Sequence, residues 1–163
     1  MTRNIVYSIQ SINIRDLQCQ LMNNDMFVFK RFDHIGLVVS DLKKAMHELS
    51  YFFGYECREQ IELKEAGILI AFYSLGQGQM ELIEFQKPME EVDSIVLEPR
   101  SGVQHVAFQV DDFDRTLKEL IAKGLKVVRG FPRKGAHGKV AFFYPTDGLD
   151  LMVEICETDS DHE

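Results

Sequence analysis

The sequence carries one pattern twice, at a constant offset of 71 residues. Residues 33–49 read DHIGLVVSDLKKAMHEL and residues 104–120 read QHVAFQVDDFDRTLKEL, so His34 aligns with His105. Each copy passes from a short apolar strand through a polar corner into a helix-like stretch. Self-similarity at a fixed offset indicates repeated structural units that stack on one another. The chain is therefore predicted to fold as two copies of one small unit.

The helix of each copy has a start, an apolar stripe and a stop. Apolar residues recur at i, i+3, i+4 and i+7, the spacing of a helix that packs one face on a core. A serine or aspartate precedes each stretch as an N-cap, and a glycine follows it. The predicted caps and stops are Ser40 or Asp41 with Gly54, and Asp111 or Asp112 with Gly124. The predicted stripes are Leu42, Ala45, Met46, Leu49, Phe52 and Phe53 in the first helix, and Phe113, Leu117, Leu120 and Ile121 in the second.

Three further strand-like segments complete each copy, which gives the order βαβββ twice. Apolar runs bounded by turn residues predict these strands. They lie at 57–63, 68–73 and 80–85 in the first copy, and at 126–129, 139–143 and 151–156 in the second. The fold class is therefore α+β, with paired βαβββ modules at about 31–86 and 102–157, a linker at 86–101 and a polar tail at 158–163.

Residues 1–30 have no counterpart in the repeat and are interpreted as an N-terminal extension of unknown role. Their IVYSIQSINI run could add an edge strand or form an arm onto a second subunit. Two modules also leave sheet edges exposed, and proteins normally cover such edges. We therefore expect a homodimer.

Strand alternation identifies the face that carries the polar residues. Side chains at i, i+2 and i+4 share one face of a strand. The apolar residues that follow each histidine are predicted to pack on the helix, which turns His34 and His105 to the opposite face. Glu81 and Glu154 in the last strand of each copy can point the same way. Small residues, Gly36 and Ala107, leave room beside the histidines.

One histidine and one glutamate from each copy make a metal-ligand set. Neutral imidazole with carboxylate suits divalent ions such as Zn, Ni, Co, Mn or Fe, with water or substrate completing the coordination. A structural role would have to account for both His–Glu pairs at once. The duplication therefore favours a single site of four ligands, His34, Glu81, His105 and Glu154.

Composition excludes several classes of function. The 163 residues include 18 basic and 26 acidic side chains, a net charge of −8, which disfavours binding to nucleic acid or to an anionic membrane. No apolar stretch approaches the ~20 residues of a membrane-spanning helix, and the N-terminus lacks the features of a secretory signal. Three scattered cysteines, Cys19, Cys57 and Cys156, are interpreted as free, buried thiols of a cytoplasmic protein.

The segments DHIGLVVSDLKKA, MELIEF, HVAFQVDD, KGAHGKVAFF and LMVEI resemble the vicinal-oxygen-chelate superfamily. Within it, residues 31–157 are most similar to the methylmalonyl-CoA epimerase family. The resemblance implies paired modules in an incomplete barrel, one divalent metal ion, a homodimer, and proton exchange next to the carbonyl of an acyl thioester. It also implies that Glu65 is a proton-transfer base for one face of the substrate. For the opposite face we expect the metal-bound Glu154, or water near it.

Two other functions share the fold. A glyoxalase-type lyase acting on a glutathione hemithioacetal would use the same four positions. A sequestering protein of the bleomycin-resistance type would bind a small molecule without chemistry and generally lacks the ligand set. Around the GAHG loop, His137 could contact substrate or lie in solvent, and Arg133, Lys134 and Lys139 could hold an anion or be surface cations.

Overall fold

The computed structural model describes residues 29–87, 93–97 and 101–158. These ranges contain eight strands and three helices. The strands are β1 Arg31–Val38, β2 Glu59–Leu63, β3 Ile68–Leu75, β4 Gly78–Phe85, β5 Gly102–Gln109, β6 Arg133–Lys134, β7 Gly138–Phe143 and β8 Met152–Thr158. The helices are α1 Leu42–Phe53, α2 Ser94–Leu97 and α3 Phe113–Ala122.

All eight strands belong to one mixed sheet, in the order β2-β3-β4-β1-β5-β8-β7-β6. Module 1 comprises β1, α1 and β2 to β4, and module 2 comprises β5, α3 and β6 to β8, which confirms the predicted pair of βαβββ units. The modules join by antiparallel pairing of β1 with β5, and each first strand also pairs in parallel with the last strand of its own module. The sheet curls into a half-barrel, with α1 and α3 against its outer face.

Local signals set the ends of α1 as predicted. Asp41 has an extended backbone, and its carboxylate accepts a hydrogen bond from the Lys44 amide at 2.9 Å. Such a cap satisfies an amide that the helix leaves unpaired, and is worth about 1 kcal/mol. Gly54 closes the helix at a φ of 69°, a left-handed conformation that favours glycine. Asp112 caps α3 in the same way through the Arg115 amide at 3.0 Å.

The buried stripes are shorter than predicted. Leu42, Ala45, Met46 and Leu49 pack on β3 and β4, but Phe52 and Phe53 are 67% and 70% exposed. The last turn of α1 extends beyond the side chains of the sheet, so its aromatic residues contact one another instead. Ile121 at the end of α3 is also exposed, at 48%. The predicted burial of these three residues was wrong.

One strand of module 2 lies at a different position from the predicted one, at the outer edge of the sheet. Residues 126–129 form only an isolated bridge, between Val127 and Phe143, and the outer strand is the two-residue β6. Pro132 has no amide hydrogen to donate, and Gly130 turns the chain at a φ of 95°, so a continuous ladder cannot form there. The predicted linker also contains a helix, α2, whose Val96 is buried against Val128, Phe142 and Met152.

Several predictions fall outside the described residues, including residues 1–28, Cys19 and residues 159–163. Of the two described cysteines, which are both free thiols, Cys156 is buried as predicted and Cys57 is only half-buried. Within the ranges above, no helix has the length and apolar character needed to cross a membrane. The cytoplasmic location and the homodimer stay predictions.

Candidate metal centre

The four strands at the middle of the sheet each place one predicted ligand on the concave face. His34 lies on β1, Glu81 on β4, His105 on β5 and Glu154 on β8. The register brings them together around two small residues: Gly36 is the cross-strand partner of both Glu81 and His105. Ala107 is the partner of both His34 and Glu154.

The ligand atoms of these side chains converge. The two Nε2 atoms of His34 and His105 are 3.0 Å apart, and Glu154 Oε2 lies 3.5 Å from the first and 3.3 Å from the second. Ligand atoms of this triad all lie within 4.8 Å of one another. Glu81 Oε1 is 3.6 Å from His34 Nε2. The structure therefore brings together all four residues that the repeat singled out.

The small residue at position 36 is required by this geometry. The imidazole ring of His105 lies directly over Gly36, and a Cβ added there would overlap the ring atoms. The equivalent position in module 2 carries a Cβ: it is occupied by Ala107, which is fully buried and is the cross-strand partner of His34. The two copies of the site are thus similar but not identical.

Each histidine is also contacted at its Nδ1 atom by a residue that sequence reasoning missed. Asp33 Oδ2 is 2.8 Å from His34 Nδ1, and Gln104 Oε1 is 2.8 Å from His105 Nδ1. Both residues are 9% exposed. Strand alternation places them on the helix face, and only their equivalence at the offset of 71 could have indicated a shared role.

The electrostatics differ between the two histidines. Burial opposes a charge on His34, but the carboxylates of Glu81 and Glu154 dominate and raise its pKa well above the usual range. Burial lowers the pKa of His105 well below its usual range, and a charge on His34 lowers it further. Burial raises the pKa of Glu81 to about 7, against the opposing effect of His34. The groups of this cluster that bind protons most readily are therefore His34 and Glu81, both in module 1, and His105 is neutral.

The cluster lies in the wall of a cavity of about 1090 Å³ enclosed by the curled sheet. Apolar side chains next to the cluster, among them Ile70, Phe72 and Ile83, form one core group. Charged residues from both edge strands and their flanking loops also line the cavity. This size and mixture are typical of a small-molecule site, in which a few polar groups are set in an apolar wall.

Glu65 lies on the wall of the same cavity as the cluster. It is exposed, in the turn between β2 and β3. The first residue after that turn, Ile68, pairs with Phe85, four residues along β4 from Glu81. The assignment of Glu65 as a base stays a prediction.

The residues around the GAHG loop separate into two groups. Arg133, Lys134 and His137 line the cavity, and the His137 side chain is only 22% exposed, so it is not a freely solvated loop histidine. Its ring centroid lies 4.7 Å from that of Phe72 and its Nε2 lies 3.4 Å from Glu59. Lys139 instead pairs with Asp114 of α3 at 2.5 Å, outside the cavity.

The donor set fits a divalent cation. Two imidazole nitrogens and two carboxylate oxygens converge in a buried place, and such mixed nitrogen and oxygen donors suit Zn, Co, Mn or Ni. Carboxylate oxygens offer no hydrogen of their own when ionised. A cation at the centre would therefore satisfy all four groups at once.

Comparison with known proteins agrees with this architecture. A mitochondrial methylmalonyl-CoA epimerase of Bos taurus is 29% identical over 127 residues, covering 77% of this chain and 73% of its own. The Dictyostelium discoideum counterpart is 26% identical over 129 residues, covering 78% of each chain. A Streptomyces coelicolor methylmalonyl-CoA epimerase, solved with 2-nitronate-propionyl-CoA, superposes with a TM-score of 0.70 at 24% identity, covering 82% of this chain and 97% of its own.

The sequence profile of one superfamily matches residues 33–143, more than half of the chain. That range runs from the start of the first repeat through β7 and includes three of the four converging residues. The chain belongs to the glyoxalase/bleomycin resistance protein/dioxygenase superfamily.

Proposed function

We propose that this protein is a divalent-metal-dependent epimerase that exchanges the proton next to the carbonyl of an acyl thioester, with methylmalonyl-CoA as the first substrate to test. The observation that carries the proposal is the convergence of two histidines and two glutamates in the wall of a ligand-sized cavity. Curated relatives named methylmalonyl-CoA epimerase support the reaction class.

The four converging side chains would hold the metal ion. When bound, a divalent ion would polarise the carbonyl oxygen and stabilise the negative charge that develops as the α-proton leaves. His34, His105 and Glu154 form the tightest group of ligand atoms, and Glu81 completes it from the side of His34. The identity of the ion is open, because this ligand set accepts several metals.

Epimerisation needs proton exchange on both faces of a planar carbon. Glu154 is proposed to serve one face, because its buried carboxylate belongs to the cluster. The family resemblance assigns the other face to Glu65, and Glu81, whose carboxylate lies 3.6 Å from His34, is a second candidate.

The apolar wall would support this chemistry by excluding water. Phe72 and Ile83 are buried on the concave face beside Glu81, and Phe142 packs its ring edge-on against His105, with centroids 4.9 Å apart. A low local dielectric strengthens the interactions between charges and dipoles at the reacting centre. These residues form the apolar side of the site, and Phe142 orients the His105 ring.

The test is hydrogen exchange at the substrate α-carbon. In D₂O, the Co²⁺-loaded protein should catalyse incorporation of deuterium at the α-carbon of methylmalonyl-CoA. The His105→Ala variant should not. Turnover of a glutathione hemithioacetal, with no exchange into the thioester, would reject the epimerase in favour of a lyase. Exchange into neither compound, despite tight binding of a small molecule, would indicate a sequestering protein.

We also propose a homodimer, because β2 and β6 end the sheet as open edges. Light scattering at micromolar concentration should give twice the mass of the 18.8 kDa chain. A monomer under those conditions would reject this assembly without affecting the proposed reaction.

A further inference from the structure

Asp33 and Gln104 are each the extra residue of a β-bulge. Along the β1–β5 ladder, Phe32 pairs with Phe108 and His34 with Ala107, so Asp33 is inserted in β1. Farther along, Gly36 pairs with His105 and Leu37 with Val103, so Gln104 is inserted in β5. A bulge interrupts alternation and re-aims a side chain. Each inserted residue can thus share a face with the histidine that follows it.

The hydrogen bonds of Gln104 fix which ring nitrogen of His105 carries the proton. The Gln104 Nε2 donates to the backbone carbonyl of Val96 in α2 at 2.9 Å. A carbonyl oxygen can only accept, so the amide nitrogen must face Val96 and the amide oxygen must face His105. His105 Nδ1, 2.8 Å from that oxygen, is therefore the donor. Its Nε2 is left with a free lone pair.

Asp33 imposes the same state on His34 by simpler means. An ionised carboxylate is an acceptor only, so the His34 Nδ1 at 2.8 Å from Oδ2 must donate. The two Nε2 atoms then face one another across 3.0 Å, with Glu154 Oε2 close to both. A cation that displaces the proton from His34 Nε2 would meet a lone pair on each ring and a carboxylate oxygen.

We propose that Asp33 and Gln104 are positioning residues, which lock both histidines as Nδ1–H tautomers and so aim both Nε2 atoms at the metal; this rests on the metal site of the proposed function. The two partners are unequal. A carboxylate accepting from an imidazole makes the ring a stronger metal ligand than a neutral amide does. His34 is therefore the stronger of the two nitrogen donors.

Metal affinity tests the proposal without using activity. Co²⁺ titration followed by the visible spectrum should show Kd raised about 10–100-fold by Asp33→Asn, because outer hydrogen-bond partners of metal ligands typically contribute that much. Gln104→Met should raise Kd less, and both variants should shift the Co²⁺ bands. Gln109→Met removes another buried glutamine of β5, hydrogen-bonded to Arg31, and should leave Kd unchanged, as should Asp147→Asn in an exposed turn.

The tautomers of His34 and His105 can be measured directly by NMR. In Zn²⁺-loaded protein, ¹⁵N NMR should find both Nδ1 atoms protonated and both Nε2 atoms bound to metal. Metal on an Nδ1 atom, or Kd values for Asp33→Asn and Gln104→Met that match the two controls, would overturn the positioning role alone. A wild-type protein that binds neither ion would overturn the metal site of the proposed function as well.

Discussion

Modules 1 and 2 place a histidine and a glutamate at equivalent positions of their first and last strands, yet surround them differently. In module 1 a carboxylate contacts the histidine Nδ1, the pKa of the histidine is raised, and the side chain of the glutamate is 12% exposed. In module 2 an amide contacts the histidine Nδ1, the pKa of the histidine is lowered, and the side chain of the glutamate is only 5% exposed. The repeat thus sets where the ligands lie, whereas the neighbouring side chains set their charge.

The largest expected effect concerns the histidines themselves. His34→Ala and His105→Ala should each abolish stoichiometric metal binding and lower turnover by at least about 10³-fold, because metal polarisation of a carbonyl is worth several kcal/mol. Elemental analysis and exchange assays check this. Metal retention in either variant would show that one module alone holds the ion.

Glutamate variants come next and compare the two candidate bases. Glu81→Gln should lower exchange by about 10²–10⁴-fold, the usual effect of removing a general base, while the triad keeps the metal. Glu65→Gln makes the same chemical change at the other candidate base, in an exposed turn. If Glu65→Gln alone loses exchange with metal retained, the base is the residue that the family resemblance indicates.

A third test exploits the different small residues at the module junction. Gly36→Ala should cost about 1–3 kcal/mol in the free energy of unfolding, because its Cβ would overlap the His105 ring. Ala107→Gly should cost only about 1 kcal/mol, from the greater flexibility of the unfolded chain. Denaturant unfolding of both variants measures the difference, and equal losses would mean that the ring over Gly36 relaxes freely.

The pH dependence of metal binding should come from module 1. Below pH 7 the raised pKa values of His34 and Glu81 keep protons on both groups, and the metal must displace them. Affinity should therefore rise with pH, by at least about tenfold between pH 6 and 7. Calorimetry in buffers of different ionisation enthalpy counts the released protons. Glu81→Gln should remove one of them, and an unchanged count would contradict this assignment.

The smallest expected effects concern the helix caps, whose removal should lower the free energy of unfolding equally in the two modules. Asp41→Ala and Asp112→Ala should each cost about 1 kcal/mol, since each removes one side-chain cap at nearly the same hydrogen-bond distance. Thermal unfolding of both variants checks this. A difference much above ~1 kcal/mol would show that even the local structure of the repeats has diverged.

The features set by the repeat could be predicted from the sequence, whereas those set by neighbouring side chains could not. The βαβββ units, the caps and the four converging residues follow from local periodicity and from the offset between copies. Asp33 and Gln104 could not be placed, because each bulge adds one residue and reverses the alternation on which the assignment of faces relies. The exposure of Phe52 depends on where the sheet ends beneath α1, which is a tertiary property.

The antiparallel joint between β1 and β5 has a consequence for how such a site can vary. Two separate, identical modules related by a twofold axis would carry the same residue at both junction positions, so a glycine at one would force a glycine at the other. In the fused chain, positions 36 and 107 are independent, and so are positions 33 and 104. Covalent fusion therefore frees each half of the site to change while the other half stays fixed.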